Sequence, residues 1–162
     1  MADEKMQEEW LEVVHIAAKG CLGVRAKRDI EPNFRIVCRG PRMAKEDVGA
    51  YAAKHMGEPH VMAHFFLCAD GSAIDMSADP KYGSRINEPT RVPEDESKSE
   101  RSNCVLRQHR AADGAWFPVI VTVQKIAAGI ELLYNYGWGA GRRITYKSAP
   151  AARLPKWLSS IR

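Results

Sequence analysis

The sequence predicts a small, mostly β domain with one inserted helix. Short segments that alternate apolar and polar residues recur along the 162 residues, and Gly, Pro, Asn and Asp separate them. Only the stretch 42–56 repeats its apolar side chains at helical spacing. A chain of this length builds one hydrophobic core, and it has no apolar run near the roughly 20 residues that a membrane span requires.

In the first half of the chain we expect a charged leader, three strands and the helix. The leader, residues 1–9, is predicted to be frayed or helical. Gly20 and Gly23 interrupt the alternation after the first strand. The helix, within an insertion at 41–56, would place Val48, Tyr51, Ala52 and His55 on one face and stop at Gly57 and Pro59. The three strands are predicted at 10–17, 24–30 and 34–39.

In the second half we expect two hairpins, each with a glycine-bearing turn. The first pairs 61–68 with 73–76 around Ala69-Asp70-Gly71. The second pairs 103–110 with 116–124 around Ala111-Ala112-Asp113-Gly114. Between them, residues 89–101 are dense in charge, proline and serine, which predicts a mobile loop.

Charge and cysteine usage limit the functional classes. Residues 132–162 hold six basic residues and no acid, so the remainder of the +4 chain carries a net charge of −2. Such a basic tail could contact nucleic-acid phosphate while the body accepts a basic peptide, although a solvated tail explains it equally well. The four cysteines form no close pairs, which favours a reducing compartment over a disulfide framework. The acidic N-terminus has no signal-peptide core.

The segment 127–137, Ala-Ala-Gly-Ile-Glu-Leu-Leu-Tyr-Asn-Tyr-Gly, carries the strongest functional signal. Tyr134 and Tyr136 follow a strand-like apolar run and lie two residues apart. A strand would point both to one face, where two phenols need two hydrogen-bond partners. Taken alone, the pattern is also that of an ordinary core strand.

Two upstream segments, in the same order, change that interpretation. Lys19-Gly20-Cys21-Leu22-Gly23 leads into the second strand, and Gly83-Ser84-Arg85-Ile86-Asn87 precedes Ser102-Asn103-Cys104. Together with the tyrosine segment they resemble the SET-domain protein lysine methyltransferases, closest to the zinc-free group that monomethylates histone tails. The resemblance covers roughly residues 10–137. It implies small curved β-sheets around a pseudoknot threaded by 85–87 and 131–137.

The resemblance implies a binding site for S-adenosyl-L-methionine. Gly20, Cys21, Leu22 and Gly23 would let backbone approach the methionine end of the cofactor, because glycine lacks a Cβ. Asn87 would meet the charged amino group, and backbone near it would read the adenine edge. The further cofactor-binding residues implied are Arg85, Ile86, Glu88 and Trp157, which would stack on the adenine, with Trp138 as its rival.

Some residues depart from the pattern of the family. Glu88 and Pro89 replace a histidine and a serine, and Pro89 also removes an N–H donor. Ile130 and Asn135 replace a glutamate and an aspartate. Backbone contacts at positions 88 and 89 could survive the changes, apart from any made by the N–H that Pro89 lacks, whereas side-chain contacts could not.

Tyr136 stands at the position of the family's catalytic tyrosine, beside the methyl group in transfer. Tyr134 would hold a water against the lysine amine, which restricts the product mainly to monomethyl-lysine. Relatives usually place a channel tyrosine where this chain offers His64 and Phe65. We therefore expect a substrate channel formed by His64, Phe65 and Tyr134.

The implied partners are a basic protein tail, most simply a histone, and nucleosomal DNA reached by the basic tail 138–162, which would pack over the cofactor site. The setting implied is intracellular and nuclear, without membrane contact. We predict no metal site, because Pro59 argues against a zinc helix carrying His60 and His64, and no cysteine follows Cys104. Two alternatives are open: an inactive SET-fold protein that binds cofactor or chromatin, and a basic-tailed β module that binds nucleic acid.

Overall fold

The computed structural model of the chain describes residues 4–55, 57–58, 64–79 and 81–135. Within these residues, eight short strands and two α-helices alternate with 3-10 turns. The helices are Glu4–Trp10 (α1) and Lys45–His55 (α2). The strands are Leu11–Ile16 (β1), Cys21–Ala26 (β2), Arg35–Val37 (β3), Arg42–Met43 (β4), Phe65–Leu67 (β5), Ala73–Asp75 (β6), Cys104–Arg110 (β7) and Trp116–Thr122 (β8). The 3-10 turns are Ala17–Lys19, Met76–Ala78, Gly83–Arg85 and Glu96–Lys98.

The described strands form three small antiparallel sheets. β1 pairs with β2, β8 lies between β3 and β7, and β6 lies between β4 and β5. The predicted mostly β class with an inserted helix is therefore confirmed. No helix among the described residues is long and apolar enough to cross a bilayer.

Both predicted hairpins are present. In the first, Phe65 pairs with Asp75 and Leu67 with Ala73, and Gly71 adopts a φ of 86° in the turn. In the second, Cys104 pairs with Thr122 and Arg110 with Trp116, and Gly114 takes the same kind of conformation, with a φ of 89°. Positive φ is the conformation that glycine adopts at little cost, so these turns follow from the sequence.

The second strand starts earlier than predicted. β2 begins at Cys21, because Ile16 pairs with Cys21 and Leu11 with Ala26 in one uninterrupted register. The second strand predicted over 24–30 is therefore present with other bounds, since it ends at Ala26, and the idea that Gly23 breaks the pattern was wrong. Gly23 lies inside the strand, opposite Val14. Ile30 makes only an isolated bridge with Ile126.

The helices also differ in detail from the prediction. Residues 4–10 form a short α-helix, in agreement with the helical form expected for the leader, so the described residues contain two α-helices. The inserted helix begins at Lys45, because Arg42 and Met43 pair with β6. Its buried residues are Val48 and Ala52, which pack with Phe65 and Ala73 in a small second cluster. The main core lies between the other elements and includes Leu11, Val24, Ile36, Ile86, Ile120, Leu132 and Tyr134.

Candidate functional site

Three distant segments meet around residues 131–134. This segment forms isolated bridges instead of the strand expected from its apolar run: Arg25 bridges Glu131, Asn87 bridges Leu133, and Cys104 bridges Tyr134. The last two bridges are parallel. The segment therefore runs between residue 87 on one side and residue 104 on the other, as a pseudoknot requires.

Asn103 fixes the buried side of this segment. Its amide Nδ2 donates to the carbonyl of Glu131 at 2.8 Å, and its Oδ1 accepts the N–H of Leu133 at 2.8 Å. The backbone N–H groups of Asn103 and Cys104 both donate to the carbonyl of Leu133. Burial raises the pKa of the neighbouring Cys104 thiol to about 12, so it remains a neutral core group.

Asn87 holds the solvent side of the same segment. Its carbonyl accepts the N–H of Tyr134 at 3.1 Å. Its Nδ2 donates to the carbonyl of Leu22 at 3.0 Å and to Glu131 Oε1 at 2.9 Å. Its Oδ1 is contacted by the Sγ of exposed Cys21 at 3.7 Å. A thiol is a weak donor, so this amide oxygen retains capacity for a strong one.

The two glycines of the β2 segment serve different purposes. Gly20 follows the 3-10 turn with a φ of 65°, and a Cβ built on it would meet no atom of the described residues within 4 Å. Gly23 is required for packing, because its Cβ would lie 2.6 Å from Glu131 Oε1 and 2.9 Å from Asn87 Nδ2. The side chains of Glu131 and Asn87 therefore occupy the space next to Gly23, whereas no described residue occupies the space next to Gly20.

A charged cluster lies next to Asn87. Lys19 Nζ contacts Glu131 Oε2 at 3.1 Å, Glu100 Oε2 at 2.9 Å and the carbonyl of Glu88 at 3.3 Å. The side chains of Lys19 and Glu131 are each only 11% exposed. Burial raises the pKa of Glu100, but hydrogen bonds from Lys19 and from the Thr90 backbone outweigh it and leave that pKa below its usual range. Two carboxylates thus face one ammonium, and the cluster keeps one net negative charge.

The other predicted cofactor residues are distributed around this site. Arg85 ends the 3-10 turn Gly83–Arg85, and its guanidinium donates to the carbonyl of Lys81 at 2.6 Å. Ile86 is fully buried in the main core. Leu22 and Cys21 are exposed next to Asn87. The structure therefore brings Gly20–Gly23, Asn87 and Glu88 together. Arg85 and Ile86 hold the backbone that leads into Asn87, the first by its bond to Lys81 and the second by its burial.

The predicted channel residues lie in two clusters. Tyr134 is 2% exposed and belongs to the main core. Phe65 is buried in the second cluster, where its ring stacks on Tyr51 with centroids 5.4 Å apart. His64 uses its carbonyl to accept the N–H of Met76 at 2.8 Å. A shared channel for these three side chains stays a prediction. Tyr136, Trp138 and Trp157 lie outside the described residues.

Sequence reasoning assigned no role to Lys19, Glu100 or Glu131. Lys19 is the last residue of the 3-10 turn, directly before left-handed Gly20, but nothing in this local pattern distinguishes it from a surface lysine. Glu100 lies within the charged loop and carries no distinguishing pattern. The pairing of Lys19 with both acids depends on the tertiary fold.

Comparisons with known proteins show the fold. No family model matches the chain, and no curated protein matches it. Among solved structures, it is similar to a humanized mutant of the Chaetomium thermophilum Polycomb Repressive Complex 2 bound to the inhibitor GSK126, with 18% identity over 79% of this chain and a TM-score of 0.57. It is also similar to ctPRC2 in an autoinhibited conformation bound to S-adenosylmethionine, with 20% identity over 80% of this chain and a TM-score of 0.57.

The chain spans about 15% of the length of these matched chains. At this level of identity the likeness concerns the backbone. It agrees with the three small sheets and with the segment 131–134 running between residues 87 and 104. The chain has the SET-domain fold.

Proposed function

We propose that this chain is an S-adenosylmethionine-dependent methyltransferase of SET type, acting on a lysine side chain in a basic protein tail. The observation that carries the proposal is Asn87, whose amide group lies between Leu22 and Glu131 and whose Oδ1, among the described residues, is contacted only by the thiol of Cys21. This amide oxygen can accept a strong hydrogen bond from the charged amino group of a ligand. The segments that surround Asn87 follow one another along the chain in the order that the resemblance to SET-domain enzymes predicts.

The residues present fit S-adenosylmethionine. The methionine end of the cofactor carries an ammonium group, which can donate a hydrogen bond to Asn87 Oδ1. The net negative cluster of Lys19, Glu100 and Glu131 lies beside that oxygen and favours a positive charge there. The open space beside Gly20 leaves room for a ligand at the backbone. We assign stacking on the adenine to Trp157, with Trp138 as the rival, because aromatic rings stack on any base. When bound, this cofactor supplies a methyl group activated by a sulfonium.

The protein's own part in the reaction is mainly positioning. The lysine amine must arrive neutral, and burial in a narrow channel lowers the pKa of an amine. We assign to Tyr136 the alignment of the amine with the methyl, and to Tyr134 the restriction to monomethyl-lysine. Holding reactants in line supplies a large part of the rate in such a displacement.

Charge supports a basic substrate. Residues 1–131 carry a net charge of −2, and the cluster beside Asn87 is itself net negative. A lysine-rich tail would be attracted to such a body, and histone tails are the first substrates to test. We further propose that the basic residues of 138–162 contact nucleosomal DNA, which places the protein in the nucleus.

One observation favours a second candidate, a SET-fold protein that binds cofactor or chromatin without turnover. The carbonyl of Glu88 already accepts a hydrogen bond from Lys19 Nζ at 3.3 Å, and Pro89 offers no N–H. Backbone groups at these positions would otherwise be available to an adenine edge. Calorimetry that detects S-adenosylmethionine binding, in a protein that transfers no methyl to any substrate, would favour this candidate.

The deciding experiment combines labelled S-adenosylmethionine with a panel of histones and histone peptides, followed by mass spectrometry. We expect methyl-lysine with the wild-type protein. Tyr136→Phe should lower kcat by about a hundredfold or more while cofactor affinity changes little, because the hydroxyl acts at the transferring methyl.

Tyr82→Phe is the matched control. It also removes one phenol hydroxyl, but Tyr82 packs against the main core beside the turn Gly83–Arg85. We expect its turnover to resemble that of the wild type. Equal activity in wild type and Tyr136→Phe would contradict the assignment of Tyr136. A wild-type protein that binds no S-adenosylmethionine would reject the proposed function.

A further inference from the structure

Lys19 is placed more precisely than a surface lysine. It ends the 3-10 turn Ala17–Lys19, and the N–H of the next residue, Gly20, donates to the carbonyls of Ile16 and Ala17. Its side chain is 11% exposed. The ammonium meets three oxygens, those of Glu131, Glu100 and the Glu88 carbonyl, which matches its three donors. An exposed lysine ion pair, by contrast, contributes little, because solvent and salt screen it.

The loop that carries Glu100 is closed on itself. The N–H of Glu100 donates to the carbonyl of Thr90 at 2.9 Å, and the N–H of Thr90 returns a bond to Glu100 Oε2 at 2.7 Å. Val92 N–H donates to Ser99 Oγ at 2.9 Å. This loop leaves the fold just after Asn87 and returns just before Asn103. The same Oε2 of Glu100 that caps the loop also contacts Lys19.

Lys19 also acts on Asn87 through Glu131. Glu131 Oε2 faces Lys19, and its Oε1 accepts from Asn87 Nδ2 at 2.9 Å. Removing the ammonium would leave the mostly buried carboxylate of Glu131 without its opposite charge, which is strongly unfavourable. Glu131 would then turn toward water and release the amide of Asn87. One ammonium therefore holds both the loop and the amide.

We infer that Lys19 is a positioning residue that couples closure of the 88–101 loop to the geometry of the candidate cofactor site. In this link, Lys19 contacts the loop through Glu100, and it contacts the candidate site through Glu131. Closure of the loop and binding of ligand at Asn87 then strengthen each other by the same factor. The inference rests on the proposed function for its ligand, but the link itself is a property of the free protein.

The link is tested first without ligand, by hydrogen exchange. Lys19→Met keeps the side-chain length and removes the charge, and Glu100→Gln removes the charge from the half-exposed partner. We expect the amides of Thr90, Val92 and Glu100 to exchange about tenfold faster in both variants, because local opening governs their exchange. Lys98→Met is the matched control. It also removes one lysine charge, on the loop itself, but the Lys98 side chain is 72% exposed and pairs at the surface with Asp95. Unchanged protection in Lys19→Met would overturn the inference. If that variant does not fold, Lys19→Gln decides, because it also removes the charge and leaves the Glu100 carboxylate in place for the Thr90 N–H.

The coupling is tested second, by calorimetry with S-adenosylmethionine. We expect about tenfold weaker binding in Lys19→Met, partial recovery in Lys19→Arg and wild-type affinity in Lys98→Met. In turnover assays, Glu100→Gln should raise the KM for the cofactor and leave kcat nearly unchanged, a division that general destabilisation would not produce. Faster exchange with unaltered affinity would overturn the coupling. If the wild-type protein binds no S-adenosylmethionine, the proposed function is wrong. The hydrogen-exchange experiment would still test whether Lys19 connects the loop to Glu131.

Discussion

Asn87 and Asn103 lie on opposite sides of one segment, residues 131–134, and use their amide groups in different ways. Asn103 is 5% exposed, and its side chain donates to and accepts from the backbone of the segment itself. Asn87 is partly exposed and donates to Leu22 and Glu131, while the thiol of Cys21 is the only group of the described residues that contacts its Oδ1.

This difference makes Asn103 a structural asparagine and is the reason we propose Asn87 as a binding one. A buried amide with both its groups paired to backbone contributes stability, because removing it leaves buried polar groups unpaired. An amide at the surface with a weakly contacted oxygen contributes less stability and can accept a ligand's donor. The two asparagines therefore differ in what their amide groups can bind, and their surroundings set that difference.

The largest expected effect is on stability. Asn103→Ala should lower the free energy of unfolding by about 3 kcal/mol, because the Leu133 N–H and the Glu131 carbonyl lose their partner in the interior. Asn87→Ala should cost only about 1 kcal/mol but weaken S-adenosylmethionine binding tenfold or more. Urea denaturation and calorimetry on both variants measure the two quantities. Equal losses of stability in the two variants would erase the distinction.

The glycines provide a second test on the Asn87 side. Gly23→Ala should cost about 1–3 kcal/mol and weaken cofactor binding, because the new Cβ displaces Glu131 and Asn87. Gly20→Ala should cost about 1 kcal/mol through its left-handed backbone, with nothing nearby to clash. Thermal unfolding and calorimetry compare the pair. Unchanged cofactor affinity in Gly23→Ala would show that the placement of Asn87 is not critical.

Tyr134 tests whether the segment between the asparagines also determines the product. Tyr134→Phe keeps the ring in the core, so we expect a stability loss of about 1 kcal/mol or less. If its hydroxyl holds a water against the substrate amine, the variant should shift the product from monomethyl-lysine toward dimethyl-lysine. Mass spectrometry of a peptide taken to exhaustive turnover measures the ratio. Abundant trimethyl-lysine from the wild type would show that Tyr134 does not limit methylation.

The smallest effect is expected at Cys21. Cys21→Ser places a stronger donor beside Asn87 Oδ1, so a ligand amine must compete with it, and we expect a severalfold loss of cofactor affinity. Cys21→Ala removes the competing group and should leave affinity at or slightly above the wild-type level. Calorimetry on both variants measures the difference. Tighter binding in the serine variant would place the amine elsewhere.

Local sequence signals were sufficient for the hairpins and for most of the inserted helix. Gly71 and Gly114 adopt positive φ in tight turns flanked by strand-forming residues, and the spacing of Val48 and Ala52 buries one helix face. The start of β2 was missed because a glycine inside a strand resembles a break. Only the pairing of Ile16 with Cys21, and the contact of Gly23 with Glu131, explains why that glycine continues the strand.

The sequence by itself determined the mostly β class and the order of the motifs, because these depend on turn chemistry, alternation and short motifs, and its resemblance to a family predicted Asn87 as a binding residue. The tertiary structure alone decided that Asn103 is saturated by backbone, and that Lys19 joins Glu100 to Glu131. The physical reason is distance along the chain. Hydrogen bonds and ion pairs between residues many positions apart leave no periodic trace in the sequence, and burial, which sets their strength, exists only once the segments have met.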